Sequence, residues 1–212
     1  MATMTDERTV EPDGMTPGGP GVPVAVDPDV DLGTKGSSTP DFSDSIYING
    51  ELSAGDRRFG VLVHILWHGN GNRFESVSVV DEAVDRYQTG QLKVPVEDLV
   101  WAPAELDITT PRTRWLGDSR HQTLRVSWPW CELDLDLAAQ GPVLYYGGTG
   151  TYRLLGEQQW QYALPQLHTT GTLTIGGRTY EVAGNLWLDR QWGLHPDLPG
   201  HLDLNEHQCR QR

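Results

Sequence analysis

A single acid stands among tryptophans in the segment Gly184-Asn-Leu-Trp-Leu-Asp-Arg-Gln-Trp-Gly193. If this segment is a β-strand, alternation places Trp187, Asp189 and Gln191 on one face. With that face pointing inward, the carboxyl of Asp189 would be buried, and burial among indole rings favours the protonated form that can donate a proton. Asp189 is therefore the predicted general acid. A structural carboxylate, held by backbone amides or by an arginine of another strand, is the alternative.

Other side chains are predicted to work beside Asp189. Gln191 shares its face at a spacing of about 6 to 7 Å along the strand, and its amide can orient a water or a carbonyl. We therefore predict Gln191 as the second catalytic residue. Aromatic residues and one histidine are predicted to form the wall of a substrate pocket, with packing in an ordinary core as the alternative. The predicted substrate-binding residues are Trp187, Trp160, Tyr162, His64, Trp67 and Tyr146.

The histidines His64 and His68 resemble a metal-binding pair, but the period of a strand argues against that interpretation. Positions four apart in a strand lie about 13 Å from each other, which is too far to share one ion. The two cysteines, Cys131 and Cys209, have no CxxC partner and do not form a zinc motif. We therefore expect no metal and no cofactor.

The first stretch of the chain, residues 1–44, is rich in Pro, Gly and acids and has no periodic apolar pattern. This composition predicts a disordered acidic leader. The stretch contains nine acids and two basic residues, so it accounts for −7 of the formal net charge of −13. At the other end, residues 194–212 show no strand pattern and are predicted to form an irregular tail.

The charge and the hydropathy of the sequence argue against several classes of function. No basic stripe is present to neutralise phosphates, so we expect no nucleic-acid partner. No run of about 18 apolar residues occurs, so we expect no membrane span. The chain also lacks a positive start followed by an apolar stretch, as in a secretory signal, and a cytoplasmic location is the default expectation.

From Ser45 onward, the apolar pattern is that of an all-β protein. Short apolar and aromatic runs, separated by Gly, Pro and Asn, recur about every ten residues, which is typical of sandwiches and barrels. Gly176-Gly177 lies between two β-rich runs and predicts a tight hairpin. Because closure removes unpaired strand edges, we predict an antiparallel, calycin- or lipocalin-like β-barrel over residues 45–193, with some aromatic rings lining a cavity.

Several segments of the chain resemble one protein family. The most specific is Trp187-Leu-Asp-Arg-Gln-Trp-Gly193, and the others are Tyr162-Ala-Leu-Pro165, Gly171-Thr-Leu-Thr-Ile and Ile46-Tyr-Ile-Asn-Gly50. They are similar to the carotenoid 1,2-hydratase (hydroxyneurosporene synthase) and AttH-type lipocalin-like family. The resemblance implies a calycin-like barrel around a long apolar ligand, with the catalytic aspartate at Asp189. Members commonly carry a second barrel-like domain after this motif, so we expect the chain to correspond to a single N-terminal-type domain.

Three functions remain open from the sequence. The leading prediction is a natural-product tailoring enzyme that holds a hydrophobic polyene or polyketide in its barrel and promotes Diels–Alder-type cyclisation at carbon–carbon double bonds. The first alternative is a hydratase that adds water to an isolated double bond, with Asp189 as general acid. The second is a non-catalytic carrier. In each case the expected partner is a hydrophobic small molecule, and a homodimer is expected if a second chain is needed to close the barrel.

Overall fold

Residues 25–194 are described by the computed structural model, and most of them belong to β-strands. The remaining parts of the predicted leader and of the predicted tail lie outside the described residues. Between residues 25 and 194, three short 3-10 helices interrupt the strands, at Glu82–Val84, Val96–Asp98 and Tyr146–Gly148. The strands in the described range are β1 (Phe42–Ala54), β2 (Arg57–His68), β3 (Arg73–Asp81), β4 (Arg86–Lys93), β5 (Val100–Trp101), β6 (Leu106–Thr109), β7 (Thr113–Gly117), β8 (His121–Trp128), β9 (Cys131–Ala139), β10 (Leu144–Tyr145), β11 (Thr151–Leu154), β12 (Glu157–Ile175) and β13 (Arg178–Leu194).

The strands pair into one antiparallel sheet in the order β4-β3-β2-β1-β13-β12-β9-β8-β7-β6-β5, and β10 and β11 pair with the first half of β12. Gly176 and Gly177, with φ of 61° and 77°, form the turn between β12 and β13, which confirms the predicted hairpin. The all-β, antiparallel lipocalin-like fold class is also confirmed. Within the described residues the sheet is a half-barrel, because β4 and β5 lie at its two ends instead of pairing with each other.

The inner face of this sheet carries the hydrophobic core. Ile46 and Ile48 of β1 are fully buried, and Ile48 lies directly opposite Leu188 of β13. These residues alternate with less buried ones because successive side chains of a strand point to opposite sides of the sheet. The largest fully buried side chains include Trp115, Arg190, Tyr162 and Phe59. Bulky rings on the inner face therefore contribute to the core, where the sequence led us to expect a cavity lining.

Side chains cross the gap between the two ends of the sheet. The ring of Trp128 in β8 lies against Gly90 in β4, 2.5 Å from the position that a Cβ atom at residue 90 would occupy. Any larger residue there would displace the ring. Thr110, which follows β6, donates a hydrogen bond to the buried carboxyl of Glu75 in β3, and burial raises the pKa of this carboxyl. These contacts hold both ends of the sheet around one core.

The structure corrects the predicted boundary of the leader. Residues 25–44 were expected to be disordered, yet Val26 and Leu32 are buried in the hydrophobic core. The indole N–H of Trp101 donates to the carbonyl oxygen of Leu32 at 3.0 Å, and β1 already begins at Phe42. The segment contains few apolar residues, so its contribution to the core was not recognised from the sequence. Two well-placed aliphatic side chains are enough to anchor a short segment.

A buried ion pair ties this segment to β13. Arg190 and Asp44 form a salt bridge with both side chains almost fully buried. The guanidinium also donates to the carbonyl oxygens of Asp31 at 2.9 Å and Gly33 at 2.7 Å. Its carbon lies 4.8 Å from the ring centres of both Trp101 and Trp192. Because a buried charge is tolerated only when it is paired and hydrogen-bonded, Arg190 is a structural residue of the fold.

No helix in the described range is long and apolar enough to cross a membrane.

Replacing Arg190 by methionine should destabilise the fold strongly. The change leaves the buried Asp44 carboxylate without its cation, and breaking a buried pair in this way costs about 3–5 kcal/mol of unfolding free energy. The measurement is urea-induced unfolding followed by tryptophan fluorescence. The matched control is Arg125→Met, since Arg125 forms an exposed pair with Asp134 and should cost less than about 1 kcal/mol. Equal losses in both variants would contradict the role given to Arg190.

Candidate active site

Asp189 lies in the middle of β13, between β1 and β12. The register places Tyr47 of β1 directly opposite Asp189 on one side and Ala163 of β12 opposite it on the other. Directly opposed residues of neighbouring strands point to the same face. Tyr47 and Asp189 therefore share the outer face of the sheet, and the next strand, β2, adds His64 opposite Tyr47.

The Asp189 carboxylate is 3% exposed and accepts hydrogen bonds from three different side chains. The Tyr47 hydroxyl donates to Oδ2 at 2.6 Å, and the Trp187 indole N–H donates to the same oxygen at 2.7 Å. The Gln161 amide donates to Oδ1 at 3.2 Å. These donors fix the orientation of the carboxyl group and are placed to stabilise negative charge that develops on it.

A second set of contacts orients Gln161. The Tyr152 hydroxyl donates to Gln161 Oε1 at 2.7 Å, which leaves the amide nitrogen of Gln161 pointing at Asp189. Gln191 Nε2 in turn donates to the Tyr152 hydroxyl oxygen at 3.1 Å. Gln191 therefore shares the face of Asp189 as predicted, but it reaches the carboxylate only through two other side chains.

The tyrosines around Asp189 hold their protons tightly. Burial, and then the hydrogen bond to Asp189, raise the pKa of Tyr47 well above its usual value. Burial and the neighbouring Asp189 charge raise the pKa of Tyr146 to about 12, and the same two causes raise the pKa of Tyr152. Because a phenol is a donor only while it is protonated, these residues remain hydrogen-bond donors across the physiological pH range.

His64 lies on the same outer face and contacts Ser45. Its Nε2 atom is 2.9 Å from the Ser45 hydroxyl oxygen, and its ring packs edge-on against Tyr47 with 5.7 Å between ring centres. Burial, with a smaller contribution from the charge of His68, lowers the pKa of His64 to about 4. The imidazole is therefore neutral at physiological pH, and one of its ring nitrogens can accept a hydrogen bond.

The predicted alternation along β13 is correct, but the predicted direction is wrong. Trp187, Asp189 and Gln191 share one face, and that face is the outer one. Leu188, whose side chain points the other way, packs against Ile48 in the core. Leu186 and Leu188 gain more free energy from burial in the core than a carboxyl or an amide does, and the charge of Arg190 on the same face is paired with Asp44, so this set of residues lies inward.

This direction also separates three of the predicted substrate-binding residues from Asp189. Tyr162 is fully buried on the inner face, opposite Arg190. Trp160 lies on the inner face too, with its ring parallel to that of Trp192 and 6.4 Å between ring centres. Trp67 points the same way and lies beneath the guanidinium of Arg73 at 4.3 Å. These three residues belong to the packed side of the sheet, whereas Trp187, His64 and Tyr146 lie on the side of Asp189.

Three residues of the cluster, Tyr47, Gln161 and Tyr152, were not predicted from the sequence. Tyr47 lies 142 positions before Asp189, and only the pairing of β1 with β13 brings the two together. A weak signal did exist, since alternation in Ile46-Tyr47-Ile48 sets one phenol between two core residues. That pattern shows that Tyr47 faces away from the core, but it does not reveal its partner.

No group of three or more His, Cys, Asp or Glu side chains between residues 25 and 194 is arranged to hold a metal ion.

The sequence profile of the AttH-like family matches residues 73–201, more than half of the chain and the whole of β13. This chain belongs to the AttH-like family. The family resemblance expected from the sequence is confirmed at this level, while nothing in the comparison points to carotenoid 1,2-hydratase in particular. No protein of curated function matches the sequence of this AttH-like chain.

Two solved structures share the fold of this AttH-like protein. An AttH from Nitrosomonas europaea superposes with a TM-score of 0.70 at 18% identity, over 87% of this chain and 60% of the other. Kievitone hydratase from Nectria haematococca superposes with a TM-score of 0.65 at 19% identity, over 89% of this chain and 58% of the other. The chain therefore spans about three fifths of the length of each relative.

The stability of this AttH-like protein should depend on pH through His64. In an unfolded chain a histidine has a pKa of about 6.5, whereas His64 in the folded protein has a pKa of about 4. Between these values the unfolded state binds a proton that the folded state does not, so the free energy of unfolding should fall as pH is lowered from about 6.5 to 4.

The measurement is urea unfolding at several pH values in the wild type and in His64→Gln. The variant should lack this part of the pH dependence, and the exposed His121→Gln serves as the control. Parallel stability curves for the wild type and His64→Gln would contradict the interpretation.

Proposed function

We propose that this chain carries the proton-transfer site of a hydratase-like enzyme, which adds water to a carbon–carbon double bond of an apolar small molecule. The observation that carries the proposal is the buried Asp189 carboxyl with three hydrogen-bond donors aimed at it. Membership of the AttH-like family and the similarity of the fold to kievitone hydratase support the proposal. The chain spans about three fifths of the length of the solved relatives. The reaction of the whole protein is therefore also part of this proposal.

The donors around Asp189 suit it to proton donation. In its protonated form Asp189 gives a proton to one carbon of the double bond and becomes a carboxylate. The hydroxyl of Tyr47, the indole N–H of Trp187 and the amide of Gln161 are already positioned to stabilise the charge that this transfer leaves. Preorganised donors of this kind lower the free energy of the transition state because they need no rearrangement as charge develops.

Aromatic rings beside Asp189 favour the next stage. Protonation of an alkene leaves positive charge on the second carbon, and the faces of Trp187, Tyr47 and Tyr146 can stabilise a nearby cation. Water then forms a bond to that carbon, and the product becomes neutral when the added water loses a proton. Leu62 and Leu66 of β2 point to the same outer face, so the surroundings suit a largely apolar substrate.

Hydration uses this cluster more fully than the other functions left open by the sequence. Cyclisation by shape alone requires a cavity that folds the substrate, and the inner face of the sheet is occupied by core side chains. A carrier needs neither a proton donor such as Asp189 nor hydrogen bonds that stabilise the carboxylate left after proton donation. A site on the outer face, centred on Asp189, therefore favours the hydratase.

Asp189→Asn should abolish hydration. An amide cannot donate the proton, and loss of a general acid lowers kcat by about 10²–10⁴-fold. The measurement is liquid chromatography with mass spectrometry on kievitone, the first probe, in isotopically labelled water, which places the heavy oxygen in the product. Asp136→Asn, an exposed aspartate of β9, is the matched control and should retain wild-type turnover. Equal turnover in both variants would remove Asp189 from the mechanism.

Tyr47→Phe should slow the same reaction without unfolding the protein. The change removes one donor from the Asp189 carboxylate and keeps the ring, and loss of one such donor lowers kcat by about 10²-fold. Tyr87→Phe, on the exposed face of edge strand β4, is the control. Retention of full kcat in Tyr47→Phe would show that the hydroxyl does not support proton transfer.

A further inference from the structure

One hydrogen-bonded pair of side chains on the outer face, Ser45 and His64, is arranged like a serine and its general base. Neither residue is among the hydrogen-bond donors to Asp189. The Ser45 hydroxyl oxygen and His64 Nε2 are 2.9 Å apart. When the imidazole carries its hydrogen on Nδ1, the hydroxyl donates to Nε2, and His64 can then take the hydroxyl proton. This is the arrangement by which a histidine activates a serine or a water bound to it.

The pair and Asp189 project from neighbouring central strands of the sheet. His64, Tyr47 and Asp189 are opposed residues of three neighbouring strands, and two strand spacings put His64 about 10 Å from Asp189 between backbones. An acid and a base on neighbouring strands can stand on either side of a substrate, as the two carboxyl groups of inverting glycosidases do with an attacking water between them. Tyr47 contacts both groups: its hydroxyl donates to Asp189 at 2.6 Å, and its ring centre is 5.7 Å from that of His64.

We infer that Ser45 and His64 form the base of the site and remove the proton from the water that adds to the double bond. This inference rests on the proposed function. As the water oxygen forms its bond to carbon, its O–H bond breaks and the proton passes to the Ser45 oxygen, while Ser45 passes its own proton to His64 Nε2. The proton lost by Asp189 forms the new C–H bond. The imidazolium returns a proton to Asp189 through solvent, so one water is added and no group is consumed.

The surroundings of His64 fix its charge and the position of its hydrogen-bond partner. Burial lowers its pKa to about 4, so the imidazole is neutral at physiological pH and one ring nitrogen has a free lone pair that can accept the Ser45 hydroxyl hydrogen. Ser45 is held on the same face by its place in β1, opposite Gln191 and Leu66. The pair is therefore positioned by the central strands of the sheet and not by a loop.

A chemical probe tests the base without any need for turnover. Phenylmethanesulfonyl fluoride forms a bond between its sulfur and a serine oxygen, with loss of fluoride, when a base takes the serine proton. Mass spectrometry of peptides should find the adduct on Ser45 in the wild type and in Asp189→Asn. It should be absent in His64→Gln and Ser45→Ala. Ser78→Ala is the control and should be labelled like the wild type, because Ser78 bonds to the hydroxyl of Thr89 and not to an imidazole.

Kinetics with kievitone supply the second measurement. His64→Gln and Ser45→Ala should each lower kcat by about 10²-fold or more and leave KM close to the wild-type value. Ser45→Thr, which retains a hydroxyl on the same carbon, should recover part of the loss. A merely structural role of the pair would not produce this split between kcat and KM or this rescue.

The two measurements separate the two proposals. If the wild type is not labelled at Ser45, or if labelling persists in His64→Gln, the proposal that Ser45 and His64 act as the base is wrong. Full hydration activity in His64→Gln would also contradict that proposal, and it would leave the role of Asp189 intact. Labelling of Ser45 that depends on His64, in a protein that does not hydrate the probe, overturns the proposed function and retains the activated hydroxyl.

Discussion

The antiparallel pairing of β1 with β13 is the constraint on which the rest of the structure depends. On the inner side it joins Ile48 to Leu188 and brings Asp44 within reach of Arg190. On the outer side the same register sets Tyr47 opposite Asp189. Because the side-chain period of a strand is two, a slip of one residue would reverse both sides at once. The register of β1 against β13 therefore determines both the core and the candidate site.

The buried ion pair adds a second connection between these strands. Arg190 bonds to carbonyl oxygens of the segment before β1 as well as to Asp44, so the segment and the two central strands form one unit. Asp189 is the residue before Arg190 in the chain, and its side chain points to the opposite face of the sheet. A hydrogen-bond donor must stay within a few tenths of an ångström of its acceptor to be effective, and a rigid strand is the element that can hold it there.

The outer face combines two kinds of group that hydration would require. Around Asp189 lie donors that stabilise a carboxylate, and one strand beyond Tyr47 lies a neutral imidazole bonded to Ser45. Both sets project from paired central strands of the sheet, where backbone hydrogen bonds leave little freedom. In the proposed reaction, Asp189 and the Ser45–His64 pair would each transfer one proton from neighbouring positions around Tyr47.

The sequence by itself determined the all-β class, the hairpin at Gly176-Gly177, the shared face of Trp187, Asp189 and Gln191, and the family. These features depend on turn chemistry, on the period of a strand and on local motifs, which the order of residues contains directly. Only the tertiary structure decided that this face is the outer one, and that Tyr47 is the partner of Asp189. The reason is physical: which side of a strand is buried, and which strand lies beside it, depends on the burial of distant apolar residues and on pairing between segments far apart in the chain.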